Sequence, residues 1–246
     1  MFASLRAVLY GVVAGFLTPN RMGEPFGRVA MLKPESRLSA GLLAFWASSS
    51  QIISTLLFGT FGWIWLSSSG MLLSSVGISI TILCWVLVGV AIAALAAFIW
   101  LERIARVAYW IPWLKVWFER YGTVGLSIPT ARKRIVLYLS FLRHVVFTFQ
   151  LMLVLRIFRV DVAPLDLFAA ISVTYLLATL VPTLTIGEPA VRAAVGVLIV
   201  GMLSENHVGI MLSFFSLWLI NVAVPALVVV WMPKGAEQKK PVLPRI

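Results

Sequence analysis

The chain has 246 residues, 61% of them hydrophobic and 12% charged, with a mean hydropathy of +1.00, which is more apolar surface than one aqueous core can hide. A nuclease, a kinase domain and a secreted disulfide scaffold are excluded on these grounds. A membrane protein with room for roughly six or seven crossings of about 20 residues is expected. The net charge of +11, from 20 Lys and Arg against 9 Asp and Glu, then reads as basic loops meeting anionic headgroups, not as a nucleic-acid surface.

In chain order, residues 2–17 form a short apolar segment that ends at Thr18-Pro19. Residues 25–33 form a second short segment, ending at Lys33-Pro34. Neither is long enough for a comfortable independent crossing. No cleavable signal peptide is expected, because Thr18-Pro19-Asn20-Arg21 stands where a small-residue cleavage site would fall. Residues 38–66 and 71–101 are long enough to cross and are separated by the uncharged turn Ser67-Ser68-Ser69-Gly70. The single cysteine, Cys84, lies in the second of these runs and fits no disulfide or metal-ligand pattern. Residues 102–134 carry Arg103, Arg106, Lys115, Arg120, Arg132, Lys133 and Arg134 among Trp110, Trp113 and Trp117, an interfacial composition. Residues 135–158 cross again, 164–181 and 189–204 are shorter arms around Pro182 and Gly187, and 207–232 cross last. A polar tail, 233–246, follows a single membrane domain, 1–232.

The basic segment 102–134 is expected on the cytoplasmic side. Counting outward from it, residues 67–70, the 156–163 turn and Glu205 fall outside, and the tail returns inside. The arms 164–181 and 189–204 then open outward, and the arms 2–17 and 25–33 open inward. The expected fold is all-α, a polytopic helical membrane protein with two inverted re-entrant hairpins.

The pattern Gly-Glu-Pro-x-x-Arg occurs twice, as Gly23-Glu24-Pro25-Phe26-Gly27-Arg28 and as Gly187-Glu188-Pro189-Ala190-Val191-Arg192. In each copy Gly permits a sharp turn and Pro suits a first helical position. The helix that starts there carries open N–H groups and a partial positive charge, and the Arg one turn later adds a guanidinium suited to phosphate. Two readings stay open. Each Glu stands four residues before its Arg and is close enough to neutralise it, with the Glu capping the helix. Alternatively the pairs line a pathway, where ionised groups in a bilayer usually lie.

The run Thr18-Pro-Asn-Arg-Met-Gly-Glu-Pro-x-x-Arg28, its partner Pro182-x-x-x-Ile-Gly-Glu-Pro-x-x-Arg192, and the apolar arms that carry them resemble the lysylphosphatidylglycerol synthase/flippase membrane-region family, over about residues 10–232. The resemblance implies a bundle with two inverted re-entrant hairpins that moves lipid between leaflets, in a bacterial or archaeal inner membrane. Aminoacylated phosphatidylglycerol is the cargo of its best-known members. By position it implies a substrate site at Arg21, Glu24, Arg28, Glu188 and Arg192, shaped by Gly23, Pro25, Gly187 and Pro189. The chain lacks the family's soluble aminoacyl-transfer domain, so lipid synthesis is not expected. It also reaches its first motif by residue 18, before which family members commonly have further helices.

Arg143 lies deep in the 131–158 segment and shares a helical face with Arg132 and Gln150. It is expected to face the interior, either as a lipid-phosphate contact or gate or bonded to a helix-end carbonyl. Gly11-x-x-x-Gly15 reads as a packing face, and His207 as an external-turn residue. The expected function is transport of an anionic or aminoacylated phospholipid, or another lipid-linked headgroup, through a cleft between the hairpins. The expected partners are that lipid, the bilayer and, in some settings, a second copy of the chain. The alternatives are a membrane-embedded lipid-modifying enzyme and a non-transporting accessory subunit. With two His and no nearby carboxylate pair beyond Glu24 and Glu188, enzyme chemistry is poorly supplied, and neither metal nor cofactor is expected.

Overall fold

A computed structural model describes residues 34–70, 80–100 and 129–224, with the isolated positions 11, 14, 15, 18, 23, 24, 27 and 227. Among the described residues every regular element is helical. These are α1 (Pro34–Ser68), α2 (Ile80–Ile99), α3 (Thr130–Ile157), α4 (Pro164–Leu180), α5 (Glu188–Ile199) and α6 (His207–Trp218). A 3-10 turn, Val200–Met202, follows α5, and a π-helical turn, Leu219–Ala223, continues α6. The expected segments 2–17, 25–33 and most of 102–134, and the tail, lie outside the described residues.

Two helices, over Ile82–Ile99 and Ala131–Ile157, are long and apolar enough to cross a membrane. Only 11% and 28% of their windows are buried within the chain. On α2, Ile82, Trp85, Val90 and Ile92 face outward, and the helix packs on α1 through a Trp46–Phe98 stack with centroids 4.6 Å apart. The interior, in contrast, encloses Ser50, Ser54, Lys133, Ser140, His144, Thr148, Ser172 and Thr174. Large apolar side chains outside, with hydroxyls set among the apolar side chains inside, suit a hydrocarbon surrounding.

Helix lengths divide the elements into two sets. At 1.5 Å per residue, α1 and α3 are about 52 and 42 Å long, whereas α4 and α5 reach only about 26 and 18 Å. The sequence explains the short pair. Pro164 starts α4 at a position where its missing N–H costs nothing, and Pro182 follows its end. Pro189 then lies at the start of α5.

Local bonds gather the ends of five helices at one end of the bundle. Near the end of α1, the Trp65 indole N–H donates to Asp166 Oδ1 in the first turn of α4 at 2.8 Å. Asn206 caps α6 by accepting from the Gly209 amide at 2.9 Å, and its own amide donates to Phe158 O at 2.8 Å, beyond the end of α3. The 3-10 turn that ends α5 leads into this same cap. The turns 67–70, 158–163 and 203–206 therefore lie together, and α4 and α5 leave from and return to the same end.

The end of α3 is closed by a left-handed residue. Arg159 has φ 61°, its amide donates to Arg156 O at 3.1 Å, and the Val160 amide donates to Leu155 O at 3.0 Å. This pair of bonds satisfies the last carbonyls and is normally made with Gly at that position. Val160 and Leu155, both fully buried, supply the accompanying apolar contact.

The middle of helix α4 is enclosed on all sides. Leu167, every residue of Ala169–Thr174, and Leu176 are buried, with α1, α3 and α5 packed around them. The approach of α1 depends on two glycines. A Cβ at Gly59 would stand 2.6 Å from Leu176 Cβ, and one at Gly62 would strike the Ala169 carbonyl oxygen. Small residues at such crossings let backbones pack directly.

Gly62→Ala is expected to destabilise the detergent-solubilised protein by about 1–3 kcal/mol, because its Cβ meets backbone that cannot swing aside. Gly89→Ala, where a Cβ meets nothing within 4 Å, serves as the tolerated control. Equal melting temperatures for the two variants would disprove the close approach. Arg159→Gly is expected to stabilise by up to about 1 kcal/mol, by removing the left-handed penalty, and thermal unfolding reads the sign directly.

Candidate functional site

The second Gly-Glu-Pro-x-x-Arg copy lies at the inner tip of the α4–α5 hairpin. Residues 181–187 form a non-helical link, and α5 begins at Glu188, one residue before the expected Pro189. Arg192 makes an ion pair with Glu188 one turn earlier. The Arg192 side chain is 40% exposed and that of Glu188 only 14%, so the carboxylate anchors the pair and the guanidinium faces outward. On its other side Arg192 lies over the Tyr175 ring of α4, 5.6 Å from the centroid. Carboxylate and aromatic face together hold the cation in one place. Among the described residues, Tyr175 Oη and Glu188 Oε2 are buried polar atoms without a hydrogen-bond partner. Buried polar atoms of this kind ordinarily find a partner.

The start of α5 offers less to an anion than the motif suggests. The Glu188 amide already donates to Leu184 O at 3.1 Å, and Pro189 has no N–H. No side chain caps the helix, so of the reading in which Glu188 neutralises Arg192 and caps the helix, the ion pair is present and the cap is not. Gly187 also differs from expectation. Its φ of −81° and ψ of −14° are open to any residue, and its nearest non-local atom, Leu184 O, stands 3.5 Å from a built Cβ. The turn here is set by Pro182 and Pro189, not by glycine freedom.

The first copy is only partly described. Arg21, Pro25 and Arg28 lie outside the described residues. Gly23 is helical, and its amide donates to Thr18 Oγ1 at 2.7 Å. A Cβ at Gly23 would stand 2.7 Å from Ala14 O and 2.8 Å from Thr18 Oγ1, so here the glycine is required by packing. Glu24 is half-buried and has a partner. The approach to the second copy touches the chain just before the first. Thr185 Oγ1, fully buried, donates to Gly15 O at 2.9 Å across 170 residues of sequence. The carbonyl of the same Thr185 accepts the Trp218 indole N–H from the end of α6 at 3.2 Å.

Arg143 does not face the interior. It is exposed, with its guanidinium over the Phe147 ring at 5.3 Å. The next residue, His144, takes the inward position. The buried stripe of α3 runs Lys133, Ser140, His144, Thr148, Leu151 and Leu155, one residue round the helix from the face holding Arg132 and Arg143. Gln150, on the far edge, exchanges hydrogen bonds with Asn221 at 3.0 and 3.3 Å. Sequence reasoning passed over Tyr175, Thr185 and Trp218. Nothing local marks Tyr175 or Trp218, whereas Thr185 stands two residues before the motif and was open to notice.

Comparison with family models, curated proteins and solved structures finds no match in any of the three.

Thr185→Val is expected to cost about 1 kcal/mol, since it removes the buried hydroxyl's bond to Gly15 O, a carbonyl that still accepts from the Thr18 amide at 3.3 Å. Thr185→Ser keeps the hydroxyl and is expected to stay within about 0.5 kcal/mol of the parent protein. Indistinguishable melting curves for the two variants would show that the 15–185 bond does not contribute.

Proposed function

We propose that this chain is a multi-pass membrane protein that moves a phosphate-bearing lipid headgroup between leaflets, as its resemblance to the lysylphosphatidylglycerol synthase/flippase membrane region suggests. The observation that carries this reading is Arg192. It is a half-exposed guanidinium held by Glu188 and Tyr175, at the tip of a hairpin too short to span about 30 Å of hydrocarbon. An Arg presented at such depth is retained when it faces a ligand or a pathway. Non-helical backbone at residues 181–187 is tolerated in a bilayer where it lines a cavity or is covered by protein.

On this reading, lipid tails stay in the hydrocarbon while the headgroup passes the hairpin tip. The Arg192 guanidinium offers planar paired donors to phosphate oxygens. The buried Glu188 oxygen and Tyr175 hydroxyl offer further polar contacts beside it. The α4–α5 arms open outward, 67–70 and 203–206 lie on that outer side, and the start of α3 lies on the cytoplasmic side with the basic segment 102–134. Arg143, exposed on α3 with its guanidinium over the Phe147 ring, is not assigned to the passage.

The test uses the purified full chain in vesicles containing fluorescent phosphatidylglycerol, with movement read by quenching from outside. Arg192→Gln is expected to lower the rate at least tenfold. It also strands Glu188, which alone could destabilise the fold, so the double variant Glu188→Gln/Arg192→Gln is the control. The double variant is expected to fold and to remain inactive. If the double variant recovers activity, the pair only neutralised itself. An inert parent protein would favour the accessory-subunit reading, and a chemically altered lipid would favour an enzyme.

A further inference from the structure

The polar seam inside α3 reaches the Arg192 site by a path that the headgroup reading does not use. His144 stands at the midpoint of the 28-residue α3, about 20 Å from either end, and is 3% exposed. Its ring lies flat on Phe58 of α1, with centroids 4.5 Å apart and planes 4° from parallel. Its Nε2 is 3.5 Å from Ser172 Oγ of α4. Its ring meets the Tyr175 ring of α4 edge-on, with centroids 5.8 Å apart. Tyr175 in turn carries Arg192. Imidazole, phenol ring, guanidinium and carboxylate thus form one continuous set of contacts from α3 through α4 to α5.

Hydroxyls continue the seam on both sides of His144. One turn toward Lys133, Ser140 Oγ is 2.6 Å from Ser50 Oγ, and Ser54 Oγ donates to Ser140 O at 3.2 Å. One turn the other way, Thr148 Oγ1 is fully buried and, among the described residues, has no hydrogen-bond partner. Buried Lys133 closes the α3 stripe at the end nearest the basic segment. A histidine in the middle of a membrane helix, linked to buried hydroxyls, is a recurrent element of proton relays.

We propose that His144 is a proton-binding site that couples headgroup movement at Arg192 to proton entry. The coupling rests on the lipid-transport reading, but the proton site itself does not. The step is a simple protonation. A hydronium O–H bond breaks, an N–H bond forms at the ring nitrogen holding the lone pair, and water is left. The imidazolium has a suitable face, because a cation over the Phe58 ring is attracted by its π system. It also has an opponent in Arg192, two ring contacts away. Among the described residues the charged and titratable groups on the elements packed around it are few, and α6, which also packs on α3, brings only His207 at its start. Helix α3 itself brings buried Lys133 and outward Arg143. Helix α1 brings Phe58, with its only charges, Glu35 and Arg37, near its start. Helix α4 brings Ser172 and Tyr175, while Asp166 is bonded to Trp65 at the far end. Helix α5 brings Glu188 and Arg192. A second positive charge on His144 therefore acts mainly on Arg192, loosening its hold on Tyr175 and favouring release of the phosphate.

The chain has two histidines, so His207→Gln leaves His144 as the only imidazole. In bilayer nanodiscs, the carbon-13 shift of its ring is followed across roughly pH 4 to 8. A titration is expected, and its midpoint is expected to move to higher pH in Arg192→Gln, where the opposing cation is gone. A ring that never titrates, or a midpoint indifferent to Arg192, overturns the proposal whether or not the protein moves lipid. The second arm imposes an inward pH gradient on vesicles holding the parent protein. A several-fold faster lipid movement is expected, and His144→Gln and His144→Asn are each expected to lose that acceleration. Lipid movement unaffected by the gradient would refute the coupling and leave the transport reading standing. No lipid movement at all would refute the transport reading and the coupling with it, leaving the titration to decide the proton site.

Discussion

The contact of α1 with α4 at Gly59 and Gly62 is the constraint on which the rest of the arrangement depends. It brings two backbones together where any side chain would intervene. The middle of a helix held this closely, and enclosed by α3 and α5 as well, from Ala169 to Thr174 has no face left for solvent of either kind. Its polar atoms must then be satisfied by neighbours. Thr174 bonds back to Ala170 O at 2.8 Å, and Asp166 takes the Trp65 indole. With α4 fixed, the depth of its last turn is fixed, and so is the level at which Tyr175 meets both His144 and Arg192.

The hydroxyls set among the apolar side chains of the interior follow from the same packing. Apolar packing between helices gains little when the alternative is hydrocarbon, so close van der Waals fit and hydrogen bonding do the joining. The α1–α3 seam shows both. Ser50, Ser54 and Ser140 bond across it, while Phe58 covers His144 and meets Phe141 edge-on at 5.8 Å. Each such bond is modest, about 1 kcal/mol. Their larger effect is on register, because a one-residue rotation of α3 would replace His144 and Ser140 in the seam with Arg143 and Leu139. Bringing the Arg143 guanidinium inside without a carboxylate opposite it is the costlier state.

That rotation also explains what the sequence could and could not disclose. The helices themselves were plain. The runs 38–66, 135–158, 164–181 and 189–204 appear as α1, α3, α4 and α5 with ends shifted by a few residues, because apolar length and proline mark them. The ion pair of Glu188 with Arg192 was plain too, from spacing alone. The inward face of α3 was not. A membrane helix is apolar on most of its circumference, so periodicity carries little information about which side is covered, and depth alone pointed to Arg143. The better signal was the small-polar stripe Ser140, His144 and Thr148, at spacings of one turn. Tyr175 and Trp218 were invisible for another reason. Their roles arise from where α4 and α6 end relative to α5, which is a tertiary fact that no local pattern encodes.

The two Gly-Glu-Pro-x-x-Arg copies share a spelling but not a local environment. At Gly23 the backbone is clasped by Ala14 and Thr18 so closely that no side chain fits, whereas at Gly187 the space is ordinary and the conformation unremarkable. The Thr18 hydroxyl accepts from the Gly23 amide of the first copy. Thr185 instead reaches out of the second copy, to Gly15 and to Trp218. Gly23 is thus held against Ala14 and Thr18, and the second copy is fastened to the bundle by Thr185 just before it, leaving Arg192 on the far side of the turn to face outward. A strict two-fold relation would make the two arginines equivalent partners of one ligand. The packing gives the two copies unequal surroundings: the glycine of the first is confined by Ala14 and Thr18, and the second carries the part-exposed Arg192 charge at the α4–α5 tip.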